Sequence, residues 1–270
     1  MWIISDSLIE GIYGGNASSQ NFFKIFENTD EKVGFLTWWF ILGFLVFALL
    51  AYLIGSINTG QIMSKIKKED LGSFGSGNFG STNAGRAWGA SGFALVFALD
   101  VSKSIVAGII IWMIAASLPT IADNTYKQQS LTLTLYMAIP LALVFVSIGH
   151  AYPLFFKFKG GKSVATSFGL IILINWVMAT VAILVFLLIL KTKKNMALAS
   201  MIGTALGGAL LMFVPYFYIS DAYLIVNPWS LMWTIWPATF VVVLLVELKH
   251  IPNVSRMIEG KELLLRNERK

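Results

Sequence analysis

Three short stretches of this chain concentrate residues able to grip an anion and move a proton. The first reads G-S-G-N-F-G-S-T-N-A-G-R from Gly75 to Arg86. Gly75 and Gly77 let the backbone approach a ligand, and Ser76, Asn78, Thr82 and Asn83 supply polar side chains. Arg86 adds a planar fork of donors suited to phosphate. The second runs from Gly149-His150 to Pro153 and on to Lys159-Gly160-Gly161-Lys162-Ser163. Two lysines flank two glycines there, and a helix beginning at Ser163 turns its partial positive charge to the same ligand. The third is Glu247, Lys249, His250 and Asn253, with Arg256, Glu259 and Glu262 beyond. His250 and Asn253 are three apart and share a face of a continuing helix, unless Pro252 ends it.

Two familiar patterns are mimicked without their context. Gly75, Gly77 and Gly80 spell G-x-G-x-x-G with Asp100 twenty residues on, but neither a preceding strand nor a βαβ unit surrounds them. The 157–163 stretch approaches a phosphate-binding P-loop, yet Phe156 stands where that pattern needs glycine. Asp100 and Lys103 form an i, i+3 pair inside an apolar helix. Such groups are costly in a membrane and mark either function or a structural ion pair.

What must position these residues is a membrane scaffold. Only 13% of the 270 residues are charged and 57% are hydrophobic, with a mean hydropathy of +0.74, against about 25% charged in soluble domains. The net charge of +6 is spread between apolar segments, so it does not point to nucleic acid. The chain contains no cysteine and two histidines, which excludes disulfides, thiol nucleophiles and a histidine-rich metal site. No basic stretch followed by an apolar core marks a cleaved signal in residues 1–34.

Apolar runs at 36–55, 89–116, 131–149, 164–190, 196–219 and 229–248 are each long enough to serve as membrane helices. Basic residues fix the orientation. With the N-terminus outside, the segments 64–88 and 157–162 and the tail from Lys249 lie inside only if one of the later apolar runs splits or does not cross, and the 164–190 run is the candidate for splitting near Asn175-Trp176 into two short helices. That arrangement leaves Lys24, Lys32 and Lys127 outside, three of twenty basic residues. The predicted fold is therefore all-α and polytopic, with about seven transmembrane helices, the N-terminus outside and the C-terminus cytosolic. Halves of about 13 residues reach only ~20 Å, so five crossings with one tilted long helix is the competing count. The organisation expected is an extracellular extension over 1–34, one transmembrane catalytic domain over 35–249, and a cytosolic tail over 250–270.

The motifs together resemble the bacterial acyl-phosphate:glycerol-3-phosphate acyltransferase family. The likeness starts at Tyr52-Leu-Ile-Gly55-Ser56-Ile57 and is strongest in Gly75–Arg86, Asp100-x-x-Lys103 and Gly149-His150-x-x-Pro153 leading to F-K-G-G-K-S-V-A-T. It closes with His250-x-x-Asn253 and Glu262. Pro252 stands where the family usually carries glutamate, Ser81 where it has alanine, Ser163 where it has glycine, and Asn58 where it commonly has proline. The resemblance implies a multi-pass protein of the cell membrane with a cytosolic active site that needs no metal or cofactor. Its substrates would be acyl phosphate and glycerol 3-phosphate and its products lysophosphatidic acid and phosphate, in the first step of phospholipid synthesis.

Carried over by motif, Ser76, Asn83, Arg86, His250 and Asn253 are the expected catalytic residues. Gly75, Gly77, Asn78, Thr82, Lys159, Gly160, Gly161 and Lys162 are expected to bind substrate phosphate, with Asp100, Lys103 and His150 as further candidates. Acyl phosphate is already activated, which suits a chain without cysteine or a Ser-His-Asp arrangement. Direct attack by the glycerol hydroxyl needs two phosphates held together by Arg86, Lys159 and Lys162, with Ser76, Asn83 and loop N–H groups facing the oxyanion. The base is His250 or the substrate's own phosphate. A carrier or channel for a phosphorylated metabolite would use the same basic glycine loops, but such proteins commonly show paired repeats, and none is visible. An alcohol-phosphatidyl transferase would need an aspartate-rich metal motif, which is missing. The sequence does not fix acyl-chain preference or oligomeric state.

Overall fold

A computed structural model describes residues 31–117, 139–212 and 228–263. Most of the N-terminal extension and the loops near 117–130 and 220–228 lie outside these residues. The chain divides into two compact units, Met1–Val46 and Phe47–Lys270. Every site residue named above belongs to the second.

Among the described residues the structure is all-α. The helices are α1 (Glu31–Gly55), α2 (Thr59–Lys67), α3 (Ser81–Ser117), α4 (residues 139–151), α5 (Val164–Ile174), α6 (Trp176–Lys193), α7 (Met196–Leu211) and α8 (Pro228–Ile258). Among these residues five spans are long and apolar enough to cross a membrane, and α5 and α7 are shorter apolar helices.

The 164–190 run does break at Asn175, as the charge pattern requires, but unequally. Asn175 adopts an extended backbone and its side chain accepts from Met178 N–H, which caps α6 while ending α5. The resulting helices have 11 and 18 residues rather than two of about 13, because the cap fixes the break one residue past Ile174. At 1.5 Å per residue α5 reaches only ~16 Å, so it depends on burial against its neighbours.

That burial comes from small residues, as expected where lipid supplies no hydrophobic drive between helices. A side chain at Gly169 of α5 would come within 2.6 Å of Val101 O on α3, and one at Gly149 of α4 within 2.3 Å of Tyr52 O on α1. On α7, side chains at Gly203 and Gly207 would lie 3.2 Å from Phe186 and Ala182 of α6, and one at Gly208 2.5 Å from Val243 of α8.

Two features of α3 and α8 set the site. α3 is kinked at Gly89, whose φ of 73° and ψ of −167° are essentially open to glycine alone. The kink separates the short segment bearing Thr82, Asn83 and Arg86 from the long apolar remainder. Nothing lies within 4 Å of a side chain at Gly89, so Gly89→Ala is expected to lose about 1–3 kcal/mol through backbone strain alone, read as a lower thermal midpoint without a packing defect. α8 runs unbroken through Pro237 and Pro252, so Pro252 does not interrupt it and His250 and Asn253 stay one turn apart.

Candidate active site

The loop from Asp70 to Gly80 is folded by its own polar side chains. Asp70 accepts from Gly72 N–H and Asn78 from Gly80 N–H, two local turns that shape the entry to α3. Asn83, almost fully buried, reaches back from the first turn of α3. Its Nδ2 donates to Leu71 O (2.9 Å) and Phe74 O (3.0 Å), and its Oδ1 accepts from Ser76 N–H (3.1 Å). Both amide hydrogens are thus committed, which corrects the expectation of Asn83 as an oxyanion donor: it holds Ser76 in place. Gly75 (φ 47°) and Gly77 (φ 67°) make the turns, and a side chain at Gly75 would strike Asn83 Oδ1 at 2.6 Å and Arg86 Cδ at 2.8 Å.

The 154–163 segment departs from expectation in a similar way. Gly161 N–H donates to His150 O (3.0 Å), and a side chain at Gly161 would sit 2.0 Å from His150 Nε2. At Gly160 a side chain would lie 2.0 Å from His150 O. Both glycines let the loop lie against the end of α4, and the Gly161 N–H is spent on His150 O rather than turned to a ligand. Left-handed backbone falls instead on Lys157, Phe158 and Ser163. Ser163 donates to Ser147 O at 2.7 Å, which offsets the cost of its φ of 63°. Gly161→Ala is expected to displace His150 or the loop, costing about 1–3 kcal/mol as overpacking and most of the turnover, since Lys162 moves with it. A thermal melt and an initial-rate assay measure the two effects.

Beneath this loop lies a buried polar cluster larger than the Asp100–Lys103 pair. Lys103 Nζ donates to Ile57 O (2.7 Å), His150 Nδ1 (2.9 Å) and Asp100 Oδ1 (3.0 Å) and is 3.3 Å from Gly55 O. Asp100 Oδ1 also accepts from Thr59 Oγ1 (2.7 Å). The lysine therefore closes the C-terminal end of α1 and ties it to α3 and α4.

Above the cluster opens a cleft of about 710 Å³, the open solvent at its mouth included. Its polar lining draws Ser76, Asn78, Thr82 and Arg86 from the first stretch, His150 and Lys162 from the second, and His250, Asn253 and Glu262 from the third. Lys162 Nζ bonds Asn253 Oδ1; Asn253 Nδ2 donates to Glu262 Oε1 (2.7 Å), and Glu262 Oε2 accepts from Arg256 Nε (2.9 Å). Arg86 Nη2 lies 3.4 Å from Leu263 O, close to the Glu262 end of this chain of contacts. His250 donates through Nδ1 to Val246 O (2.8 Å), which leaves Nε2 as the basic nitrogen of its neutral ring. Burial and the neighbouring Arg256 bring the Lys162 ammonium down to about 8.

Three helix N-termini meet here, α3 at Ser81-Thr82, α5 at Val164-Ala165 and α7 at Met196-Ala197, each carrying roughly half a positive charge. A side arm of the cleft is apolar, lined by Phe93, Phe97 and Phe186. Phe93 and Phe97 stack at 5.7 Å. The expectation that Lys159 shares the site with Lys162 does not hold: Lys159 is exposed and outside the cleft lining, and its backbone is used within the fold, the N–H donating to Phe156 O and the oxygen accepting from Asn58 and Gln61. Ser200 of α7 lines the cleft and escaped sequence reasoning, because one serine in an apolar run has no local signature. The aromatic arm was likewise unmarked, since Phe93 and Phe186 are distant in the chain.

The cleft can thus seat anionic groups beside an apolar chain, with a ring nitrogen at hand. The profile of the glycerol-3-phosphate acyltransferase family matches residues 45–260. Among similar proteins, a glycerol-3-phosphate acyltransferase of Mycoplasmopsis pulmonis (strain UAB CTIP) is 35% identical over 82% of this chain and 93% of its own. One from Staphylococcus aureus (strain bovine RF122 / ET3-1) is 32% identical over 81% and 96%. The crystal structure of PlsY (YgiH), an integral membrane glycerol 3-phosphate acyltransferase, in its glycerol 3-phosphate form aligns with a TM-score of 0.62 at 31% identity, covering 82% of this chain and 95% of that one. On these matches and the cleft they fall on, this chain is an integral membrane protein of the glycerol-3-phosphate acyltransferase family.

Proposed function

We propose that this protein transfers a fatty acyl group from acyl phosphate to the 1-hydroxyl of glycerol 3-phosphate, giving lysophosphatidic acid and phosphate. The observation that carries this reading is one cleft holding Arg86, Lys162 and three helix N-termini next to an aromatic arm. The cationic part suits the two phosphates, whose repulsion it offsets, and the arm suits the acyl chain. Alignment of the reactants in this way can be worth ~7–11 kcal/mol of barrier.

In the reaction the glycerol hydroxyl oxygen attacks the acyl carbonyl carbon, and the bond from that carbon to the phosphate oxygen breaks. Phosphate leaves with the electron pair. The hydroxyl proton passes to His250 Nε2 or to a substrate phosphate oxygen. Ser76 and the N-terminal N–H groups of α3 and α5 face the developing oxyanion, while Asn83 and Asn253 hold Ser76 and Lys162. Asp100, Lys103 and His150 support the floor.

Seven crossings with the N-terminus outside put this cleft on the cytosolic face. The support is that segments 70–88, 157–163 and 250–263 converge on one cleft, as the distribution of lysines demands. The chain lacks cysteine, so Ser73→Cys provides a single reporter; labelling by an impermeant maleimide from the outside of intact cells would reverse this orientation.

Purified protein in lipid nanodiscs, supplied with acyl phosphate, should release phosphate only when glycerol 3-phosphate is present, and acyl-CoA should not replace the donor. No release from acyl phosphate sinks the reading. A pH dependence follows from Lys162. It is charged below about 8 and loses its charge above, so phosphate is held fully at pH 7 and more weakly as pH rises. KM for glycerol 3-phosphate is expected to climb by up to about tenfold per pH unit between about 8 and 10, with proton uptake on binding in that window. The unliganded fold shows the opposite sign. It holds fewer protons than the unfolded chain over the same window, so its stability rises with pH there.

A further inference from the structure

Helix α2 is amphipathic the wrong way round for a soluble surface. Its inward face carries Thr59, Gly60 and Ser64 with Met63, and the hydroxyls are used internally: Thr59 Oγ1 donates to Asp100 and Ser64 Oγ accepts from Leu71 N–H. Its outward face carries Ile62 and Ile66, one turn apart and 37% and 67% exposed, flanked by the exposed Lys65 and Lys67. The 3-10 turn Leu154–Phe156 repeats the pattern, with Leu154, Phe155 and Phe158 exposed at 46%, 60% and 56% and Lys157 and Lys159 between and beside them.

The two pieces form one surface. Asn58 Nδ2 and Gln61 Nε2 both donate to Lys159 O, Leu154 N–H donates to Ser56 Oγ (3.3 Å), and Lys65 Nζ lies 5.4 Å from the centre of the Phe156 ring. The nearby acidic groups are turned elsewhere, Glu69 to Trp88 Nε1 and Asp70 to Gly72 N–H. What remains outward is five large apolar side chains studded with ammonium groups.

We propose that α2 and residues 154–159 form an interfacial seat that binds anionic lipids of the leaflet at the mouth of the cleft. Isoleucine and phenylalanine side chains enter the boundary between headgroups and acyl chains while lysines pair with lipid phosphates, the arrangement of interfacial amphipathic helices and juxtamembrane basic clusters. Only Gly160 and Gly161 separate Lys159 on this surface from Lys162 in the cleft, so the seat holds the cleft mouth at the depth of the lipid phosphates. This surface is independent of which acyl donor the cleft uses.

The absence of cysteine from the chain makes the test direct. Spin labels are placed singly at Ile66→Cys, Phe155→Cys and, as an aqueous reference, Ser73→Cys, in the full chain in nanodiscs of phosphatidylglycerol with phosphatidylcholine or of phosphatidylcholine alone. With anionic lipid, the labels at 66 and 155 should collide with oxygen severalfold more, and with a water-soluble nickel chelate severalfold less, than the label at 73. A triple Lys65→Gln/Lys67→Gln/Lys157→Gln variant should keep its rate in phosphatidylcholine but lose most of the difference between the two lipid compositions, on the order of tenfold or more in lipid preference.

Labels as open to nickel as the reference overturn the proposal. So does equal immersion in phosphatidylcholine alone, which would leave the lysines without a role. Shielding from both oxygen and nickel would mean that protein covers the surface, and also overturns it.

Discussion

Lys162→Ala is expected to lower kcat/KM by on the order of a thousandfold, about 4 kcal/mol at 1.36 kcal/mol per tenfold, while Lys159→Ala changes it by less than about threefold. The two lysines are equivalent by sequence, flanking the same glycine pair. In the fold only Lys162 enters the cleft, where its Nζ bonds Asn253 Oδ1. Burial, with Arg256 and Arg86 adding to it, depresses its proton affinity. A charge so placed is aimed at a phosphate before substrate arrives, the condition under which one donor is worth a hundred- to a thousandfold. Lys159 uses its backbone oxygen inside the fold and leaves its ammonium exposed. Initial rates of both variants, with thermal midpoints to show that each is folded, decide the matter. A Lys159→Ala defect as deep as that of Lys162→Ala would contradict the geometry.

The largest effect on stability is expected at Lys103. Lys103→Met leaves Asp100, 1% exposed, with Thr59 and His150 as its remaining partners, and leaves Gly55 O and Ile57 O without their cation. Removing one member of a buried charge pair typically costs about 3–5 kcal/mol, because the other charge stays desolvated. A thermal midpoint lower by on the order of 10 °C is expected. Adding Asp100→Asn should restore part of the loss, since the uncompensated charge goes with it; a double variant no more stable than Lys103→Met alone would show that the carbonyl contacts dominate.

Much of the site was legible before the fold was known, for specific reasons. Arg86, Lys162, His250 and Asn253 are charged or polar residues in a chain that has few, so each stands out against its apolar surroundings. The break at Asn175 followed from parity of crossings, a global constraint that no local propensity supplies. What could not be read was which atom each side chain commits to its neighbours. Asn83 looks like a free amide in the sequence, and only the return of the loop to Leu71 and Phe74 shows both its hydrogens engaged. Gly160 and Gly161 look like a ligand cradle until His150 is found against them. Ser200, Phe93 and Phe186 come together from three helices, and the sequence carries no period or motif that joins them.

The kink at Gly89 bears on how a membrane enzyme keeps its geometry as lipid composition varies. A continuous rod from Ser81 to Ser117 would tilt as a whole when the hydrocarbon layer thickens or thins. At the level of Arg86, the far end of such a rod, even a few degrees of tilt would amount to ångströms. With the rod divided at Gly89, the long portion can lean to match the bilayer while the eight residues above it stay pinned by Asn83 to the 71–76 loop. A division at this point would let the position of Arg86 follow the 71–76 loop rather than the thickness of the very membrane whose lipids this family helps to make.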